Sequence, residues 1–283
     1  MFFRIIYQHR LMLLFYYEIL LNCTLELTYM SSLTERHQYI LDRIQQNGSV
    51  SVLDLCSELE VSSVTIRKDL KLLEDKNCLF RTHGGATQNN PYATDRPVNE
   101  KEKLQSAEKA KIGVAAASLV QPDDSILIAS GTTVLALARS IQPAGNLTVI
   151  TSALNVALEL IHHQNIEVLQ LGGILRKSSS SVMGPYAESI LADFFCSKFF
   201  LGVDGIDLEF GLTTTNAMEA HLNRQMMSVS QNTIVIADST KFGKRGFGKI
   251  CGIDEVDEII TDKNLPEHIA EKLEAMGVKV TLV

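Results

Sequence analysis

Val52-Leu53-Asp54-Leu55-Cys56-Ser57-Glu58-Leu59-Glu60-Val61-Ser62-Ser63-Val64-Thr65-Ile66-Arg67-Lys68-Asp69-Leu70 reads as two short helices joined by a tight turn. In the first, Val52, Leu55 and Leu59 share one face at helical spacing, and Glu60-Val61-Ser62 then breaks the run. Ser62 or Ser63 can cap the second helix by accepting from a first-turn amide. Val64, Ile66, Leu70 and Leu73 give it an apolar side, which leaves Thr65, Arg67, Lys68 and Lys71 for solvent or for DNA. Hydroxyl and basic groups near the start of such a helix reach base edges and phosphates when it lies in a major groove. A helical hairpin with a solvated charged face has the same pattern, so the flanks decide between the two.

Upstream, residues 34–46 carry Tyr39, Ile40, Leu41 and Ile44 at helical spacing and stop at Asn47-Gly48, after which Ser49-Val50-Ser51 is a short extended piece. Downstream, Asn77 breaks the pattern, Cys78-Leu79-Phe80-Arg81 reads as a strand, and His83-Gly84-Gly85 supplies a hairpin tip. A basic hairpin beside a reading helix is a wing, in which Arg81 and His83 touch phosphate or the minor groove. Taken alone, Gly84-Gly85 fits a plain surface turn equally well. The candidate DNA-contacting residues are Ser62, Ser63, Thr65, Arg67, Lys68, Lys71, Arg81, His83 and Gly84.

Val61-Ser62, the run Thr65-Ile66-Arg67-Lys68-Asp69-Leu70 and the wing Arg81-Thr82-His83-Gly84-Gly85-Ala86 together closely resemble the DeoR-type bacterial transcriptional regulators. The resemblance continues from Leu33 to the end of the chain.

At 283 residues the chain accommodates a small domain and a medium one. A net charge of −7 is unusual for a protein that binds a polyanion. The basic groups are local, however: Arg67, Lys68, Lys71, Lys76 and Arg81 fall on the reading unit, so affinity rests on that local field and on two half-sites bound at once. The five cysteines, Cys23, Cys56, Cys78, Cys196 and Cys251, are scattered without a Cys-x-x-Cys pair. Neither a disulfide framework nor a metal site is indicated, no cofactor is expected, and a reducing cytoplasm fits. Cys56 and Cys78, among apolar neighbours, read as core residues.

Residues 1–21 are rich in Phe, Tyr, Leu and Ile, with Arg4 and Arg10 ahead of the apolar run 11–17. That run is shorter than the roughly 20 residues of a membrane span and is interrupted by Glu18. No small-residue cleavage site follows it. The domain pattern begins after Met30, so residues 1–30 are expected to be a non-native or disordered extension; a membrane-associating helix is the alternative. Residues 31–87 then form a winged helix-turn-helix domain. Residues 88–106 form a linker, with Gln88-Asn89-Asn90-Pro91, Asp95-Arg96-Pro97 and alternating Glu and Lys running into a helix near Asn99. Residues 107–283 form the second domain.

From residue 107 the pattern alternates: helices at 110–120, 134–141 and 267–276, and strands at 126–129, 147–150, 166–171, 199–203, 233–237, 258–261 and 279–282. Short apolar strands alternating with helices indicate an α/β fold with a mainly parallel sheet covered on both faces. Ligands in such sheets bind beyond the carboxyl ends of the strands. Ser130-Gly131-Thr132-Thr133 follows the first strand and opens a helix, where glycine and free amides can hold a phosphate; the same turn also serves as a plain helix cap. Thr151-Ser152, Gly172-Gly173, Asp204-Gly205, Asp238-Ser239-Thr240-Lys241 and Asp262-Lys263 follow the later strands, and their recurrence suggests a polar pocket.

This half also resembles the DeoR-type effector domain, which is similar to ribose-5-phosphate isomerase and coenzyme A-transferase folds. The resemblance implies that Ser130, Gly131, Thr132 and Thr133 form a phosphate loop, with Thr151, Ser152, Gly172, Gly173, Asp204, Gly205, Asp238 and Lys241 at the other strand ends. Lys241 is then a point charge for a phosphate or sugar oxygen, an ion pair with Asp238 being the alternative. The family usually has an acidic residue where this chain has Ala129, so effector identity does not carry over. Arg176-Lys177, ahead of the serine run 178–181, is expected in a solvated flexible loop, contact with an anion being the alternative. Asp204, Asp238 and Glu219 are the acid-base candidates, but their spacing makes no catalytic constellation, and His162, His163 and His221 do not stand out. The chain is therefore expected to be a non-enzymatic DNA-binding regulator, a repressor of a carbohydrate-use operon. Its expected partners are double-stranded operator DNA, a phosphorylated sugar effector and further copies of itself as a dimer or tetramer, with no membrane partner. The alternative is a sugar-phosphate isomerase or deaminase-like enzyme fused to a DNA-binding head.

Overall fold

The computed structural model describes residues 33–76, 78–82, 84–87 and 93–283; the readings of residues 1–30, Asn77, His83 and 88–91 lie outside them. The chain divides after residue 91 into two compact units.

The first unit holds a helix α1 (33–47), β1 (Ser49–Ser51), α2 (Val52–Leu59), α3 (Ser63–Asp75), β2 (Phe80–Thr82) and β3 (Gly85–Thr87). Ile40 and Ile44 of α1, Val52 and Leu55 of α2, and Ile66, Leu70 and Leu73 of α3 close one core with Leu79 and Ala86. The three strands form an antiparallel sheet in the order β1-β3-β2. Ser51 caps α2 by accepting from the Asp54 amide at 3.0 Å, and Ser62, not Ser63, caps α3 by accepting from the Thr65 amide at 3.2 Å. A Cβ on Gly85 would lie 1.8 Å from the Val50 carbonyl oxygen, so strand pairing with β1 requires glycine there.

Three expectations need correction here. Val64 is 58% exposed, because the inward turn of α3 is completed by Asp69, which is buried. Cys78 is exposed, not core. The strand after α3 starts at Phe80, two residues later than the pattern suggested.

The second unit opens with α4 (Val98–Lys103) and α5 (Ser106–Ala117), then β4 (Ser125–Ile128), α6 (Thr132–Ser140), β5 (Leu147–Thr151), α7 (Leu154–Leu160) and β6 (Ile166–Gln170). A hairpin of β7 (Ile174–Arg176) and β8 (Ser181–Met183) precedes α8 (Pro185–Leu191) and β9 (Cys196–Leu201). There follow β10 (Gly205–Asp207), β11 (Gly211–Thr214), α9 (Ala217–Ser228), β12 (Ser230–Ile236), β13 (Gly248–Cys251), β14 (Glu258–Thr261), α10 (Glu267–Ala275) and β15 (Lys279–Leu282).

Seven strands make one parallel sheet in the order β15-β14-β12-β9-β4-β5-β6. Its central strands are buried on both faces, as an all-parallel sheet demands. Ile126, Ile128, Phe200 and Ile236 point into a layer with α5, α6 and α7. Leu127, Phe199, Leu201 and Val235 alternate with them into the opposite layer, against α8, α9 and α10. A small antiparallel sheet, β10-β11-β13, adds to that second side.

Asp124 pins the entrance of the sheet. Its carboxylate accepts from Lys198 at 2.7 Å, from the Ser197 hydroxyl at 2.9 Å and from the Gln121 amide at 2.8 Å. Burial works against its charge, yet these donors hold the carboxyl below its ordinary value of 3.8. The folded state thus releases this proton at lower pH than the unfolded chain does. The stability gained is complete above pH 3.8 and is lost as pH falls through the depressed value. In acid unfolding, Asp124→Asn is expected to lower stability at neutral pH and to flatten its decline below that range; an unchanged acid limb would show that the carboxylate contributes nothing.

Candidate functional site

α3 presents two faces. Ile66, Asp69, Leu70 and Leu73 point inward, while Val64, Arg67, Lys68 and Lys71 recur at i, i+3, i+4 and i+7 on the exposed side. Among the described residues, Arg67, Lys68 and Lys71 take part in no ion pair, whereas the other arginines of this unit do. Arg36 forks onto Asp69 at 2.5 and 3.0 Å, with His37 Nε2 3.2 Å from the same carboxylate. Arg43 pairs with Glu58. Arg81 is half-buried, 3.7 Å from Glu74, which also accepts from the Arg81 amide at 3.0 Å.

Of the DNA-contacting candidates, Thr65 and Ser62 share a hydroxyl contact of 2.9 Å at the start of α3, Ser63 is half-exposed beside them, Gly84 is exposed on the hairpin, and His83 lies outside the described residues. Val64 was missed. An apolar side chain held out on a reading face suits a thymine methyl. Because Asp69 locks α3 to α1, Asp69→Ala removes the buried carboxylate that Arg36 and His37 hold and is expected to destabilise this unit by about 3 kcal/mol. Thermal unfolding measures this, and a change within experimental error would remove the clamp from the account.

In the second unit β4 ends at Ile128, and Ala129 and Ser130 follow it. Gly131 follows with φ of 138°, a conformation that favours glycine, and α6 starts without a side-chain cap. Its first-turn amides are therefore available to an anion. Ser130, Thr132 and Thr133 around them are buried. A carboxylate stands at the end of β4 despite Ala129: Glu219 of α9 accepts from the Ser130 hydroxyl at 2.5 Å. The Thr214 hydroxyl lies 3.3 Å from Glu219 and 3.1 Å from Asp204. Lys101 reaches Asp204 at 2.7 Å, and Arg176 donates to Glu219 and, at 3.0 Å, to the Thr215 hydroxyl.

Burial pushes the Glu219 carboxyl up, against the pull of Arg176 and Ser130. Burial also opposes ionisation of Asp204, but Lys101, Lys241 and Thr214 prevail and hold it below the ordinary range. Lys109 is buried, with Nζ donating to the carbonyls of Lys101 at 2.6 Å and Leu104 at 2.5 Å. Burial depresses its pKa, and Lys241 and Lys101 depress it further; Lys244 is lowered by burial and by Lys241. Lys109 is thus within electrostatic reach of Lys101 and Lys241, and Lys244 within that of Lys241, with Asp238 partly offsetting both.

Of the residues expected at this rim, Ser130, Gly131, Thr132 and Thr133 form one turn, and Asp204 and Lys241 interact electrostatically. Asp238 turns its carboxylate to the Thr240 amide and hydroxyl. Thr151 is committed internally, donating to the Ile128 carbonyl at 2.8 Å and accepting from the Ala153 amide at 3.1 Å, and Ser152 is buried. Gly173 and Gly205 are required by close packing, a Cβ there lying 2.7 Å from the Met183 oxygen and 2.4 Å from the Lys244 oxygen. Gly172 is exposed. Arg176 is no solvated loop residue: its side chain is 9% exposed, held between two carboxylates. Lys101, Lys109, Thr214 and Thr215 were not foreseen.

Asp204 and Glu219, bridged by one hydroxyl and shifted in opposite directions, resemble an acid-base pair in their electrostatics. Here each is already engaged by a cation, an arrangement equally suited to reading hydroxyl groups. Among the described residues no helix is long and apolar enough to cross a membrane.

Comparison with known proteins bears directly on the choice. Residues 36–92 match the DeoR-like helix-turn-helix domain and residues 104–263 the DeoR C terminal sensor domain. A protein of Escherichia coli O157:H7 named as an aga operon transcriptional repressor is 38% identical over 88% of this chain and 94% of its own. The HTH-type transcriptional repressor GlcR of Bacillus subtilis (strain 168) is 32% identical over 87% of this chain and 95% of its own. Among solved structures, ribose 5-phosphate isomerase A from Methanocaldococcus jannaschii is similar at 13% identity and a TM-score of 0.36, covering 49% of this chain and 55% of that one. With both of its characteristic domains present in order and relatives of this identity along nearly its whole length, the chain belongs to the DeoR family of transcriptional regulators.

Proposed function

We propose that the chain is a cytoplasmic repressor of a carbohydrate-use operon, released from its operator by a phosphorylated sugar. The observation that carries the sensing half is the uncapped start of α6, set among buried hydroxyls and close to carboxylates and lysines that interact with one another. A phosphate suits the amides and cations; sugar hydroxyls suit Asp204 and Glu219. The unpaired basic face of α3 supports operator binding. Two or four chains pair so that reading helices meet successive major grooves, about 34–36 Å apart. An effector with different affinity for two arrangements of the heads then shifts operator affinity. The names of both relatives support repression as the sign.

A thermal-shift screen of pentose and hexose phosphates on the full chain tests the sensor, since a ligand of the native state raises the midpoint by mass action. One or more of them is expected to stabilise the protein; stabilisation by none would remove the sensing reading. Arg67→Ala is expected to weaken operator binding by about 1–3 kcal/mol while the sugar-phosphate shift persists. Thr132→Ala and Lys241→Ala are expected to keep operator affinity and lose the response; a normal response in Lys241→Ala would end its assignment. The opposed Asp204 and Glu219 favour one second reading, a sugar-phosphate isomerase or deaminase, and sustained turnover of those same sugars would establish it.

A further inference from the structure

Residues 93–103 form a strap on the second unit. The Ala93 amide donates to the Arg245 carbonyl at 2.8 Å, the Val98 amide donates to the Ser178 carbonyl at 2.7 Å, and the Val98 side chain is buried. Two charged side chains of this strap enter the polar site. Lys101 pairs with Asp204, and the Asp95 carboxylate lies 2.8 Å from Arg176, 3.2 Å from the Ser178 hydroxyl and 3.4 Å from the Thr215 hydroxyl.

The two arms of Arg176 differ. One holds Glu219, whose side chain is 10% exposed; the other meets Asp95, which is 47% exposed. When Asp95 leaves, Glu219 and Thr215 still hold Arg176, but the arm that faced Asp95 is short of an anion and favours a replacement. Asp95 is the more exposed of its two carboxylate partners, and an oxyanion that displaces Asp95 would take the same Nη2 arm. Asp95 itself leaves at small cost, since a half-exposed carboxylate rehydrates readily and such a pair is weak. Arg176 and Ser130 grip the same Glu219 carboxylate, so this position adjoins the turn between β4 and α6.

We propose that Arg176, Ser178 and Thr215 form an anion subsite of the effector cup and that Asp95 is its resident plug, so that an oxyanion and the docked strap exclude each other. The inference rests on the sensing function proposed above and adds its first mechanical step. In the sequence the strap is joined to β3 by residues 88–92, so its release is a covalent route from the cup to the reading head.

The test is hydrogen exchange on the full chain, titrated with inorganic phosphate at constant ionic strength, with thermal stabilisation recorded in parallel. In the unsubstituted protein, phosphate should accelerate exchange across residues 93–98 and leave β4 protected. Asp95→Asn should exchange rapidly there without phosphate and bind it about fivefold more tightly, the factor expected when a weak competing ion pair is removed. Asp193→Asn, which removes an exposed carboxylate elsewhere, should behave as the unsubstituted chain. Phosphate that stabilises all three proteins equally, with the strap unaltered, overturns the plug and leaves the sensor standing. Failure of phosphate and of every sugar phosphate to bind any of them overturns both. Fast exchange of 93–98 in the unsubstituted protein before any addition also overturns the plug.

Discussion

Glu219 is buried beside the end of β4, and the polar architecture of the second unit follows from keeping that carboxylate satisfied. An ion taken from water costs several kcal/mol unless donors replace its hydration. The fold supplies Ser130 from the β4–α6 turn, Thr214 from β11 and Arg176 from the β7–β8 hairpin. Arg176 in turn needs a second anion, and Thr214 brings in Asp204, which needs Lys101. One buried charge thus recruits a chain of alternating signs that ends at the exposed strap. Sugars are read by such chains of donors and acceptors, which exchange one hydrogen-bonding partner for another at little net cost.

The first unit solves the same problem in miniature. Asp69 is buried and held by Arg36 and His37, which ties α3 to α1 and sets the side that α3 turns outward. The cations of this unit consequently divide. Arg36 and Arg43 hold the fold, whereas Arg67, Lys68 and Lys71 make no ion pair among the described residues, which is how a chain of net charge −7 still presents a basic surface.

The central parallel strands were legible because each carries a short apolar stretch, a pattern imposed by burial on both faces; β14 and β15 match their expected bounds. The α3 cap was legible too, down to a choice between two serines. What the sequence concealed is of another kind. β7, β8, β10, β11 and β13, three or four residues long, were not among the expected strands, and two of them bring Arg176 and Thr214 beside Glu219. Lys101 and Asp204 are 103 positions apart, and Arg176 and Glu219 are 43 apart, so no local spacing announces either pair. Arg176 beside a serine run has the composition of a solvated loop and is buried only because a distant carboxylate requires it. Val64 failed for the converse reason: an apolar residue was assigned to the core, although Asp69, clamped by Arg36, already held the inward position.

A small basic head that grips duplex DNA, with a second unit that adjusts the grip, makes operator affinity respond to both salt and effector. This coupling is tested most directly by the affinity of the full chain for its operator fragment across a salt series, with and without the stabilising sugar phosphate. Log K is expected to fall linearly with log salt, by about 0.9 for each phosphate neutralised, and the sugar phosphate is expected to lower K at every salt concentration. Affinity that is indifferent to salt, or that the sugar phosphate leaves unchanged, would contradict it.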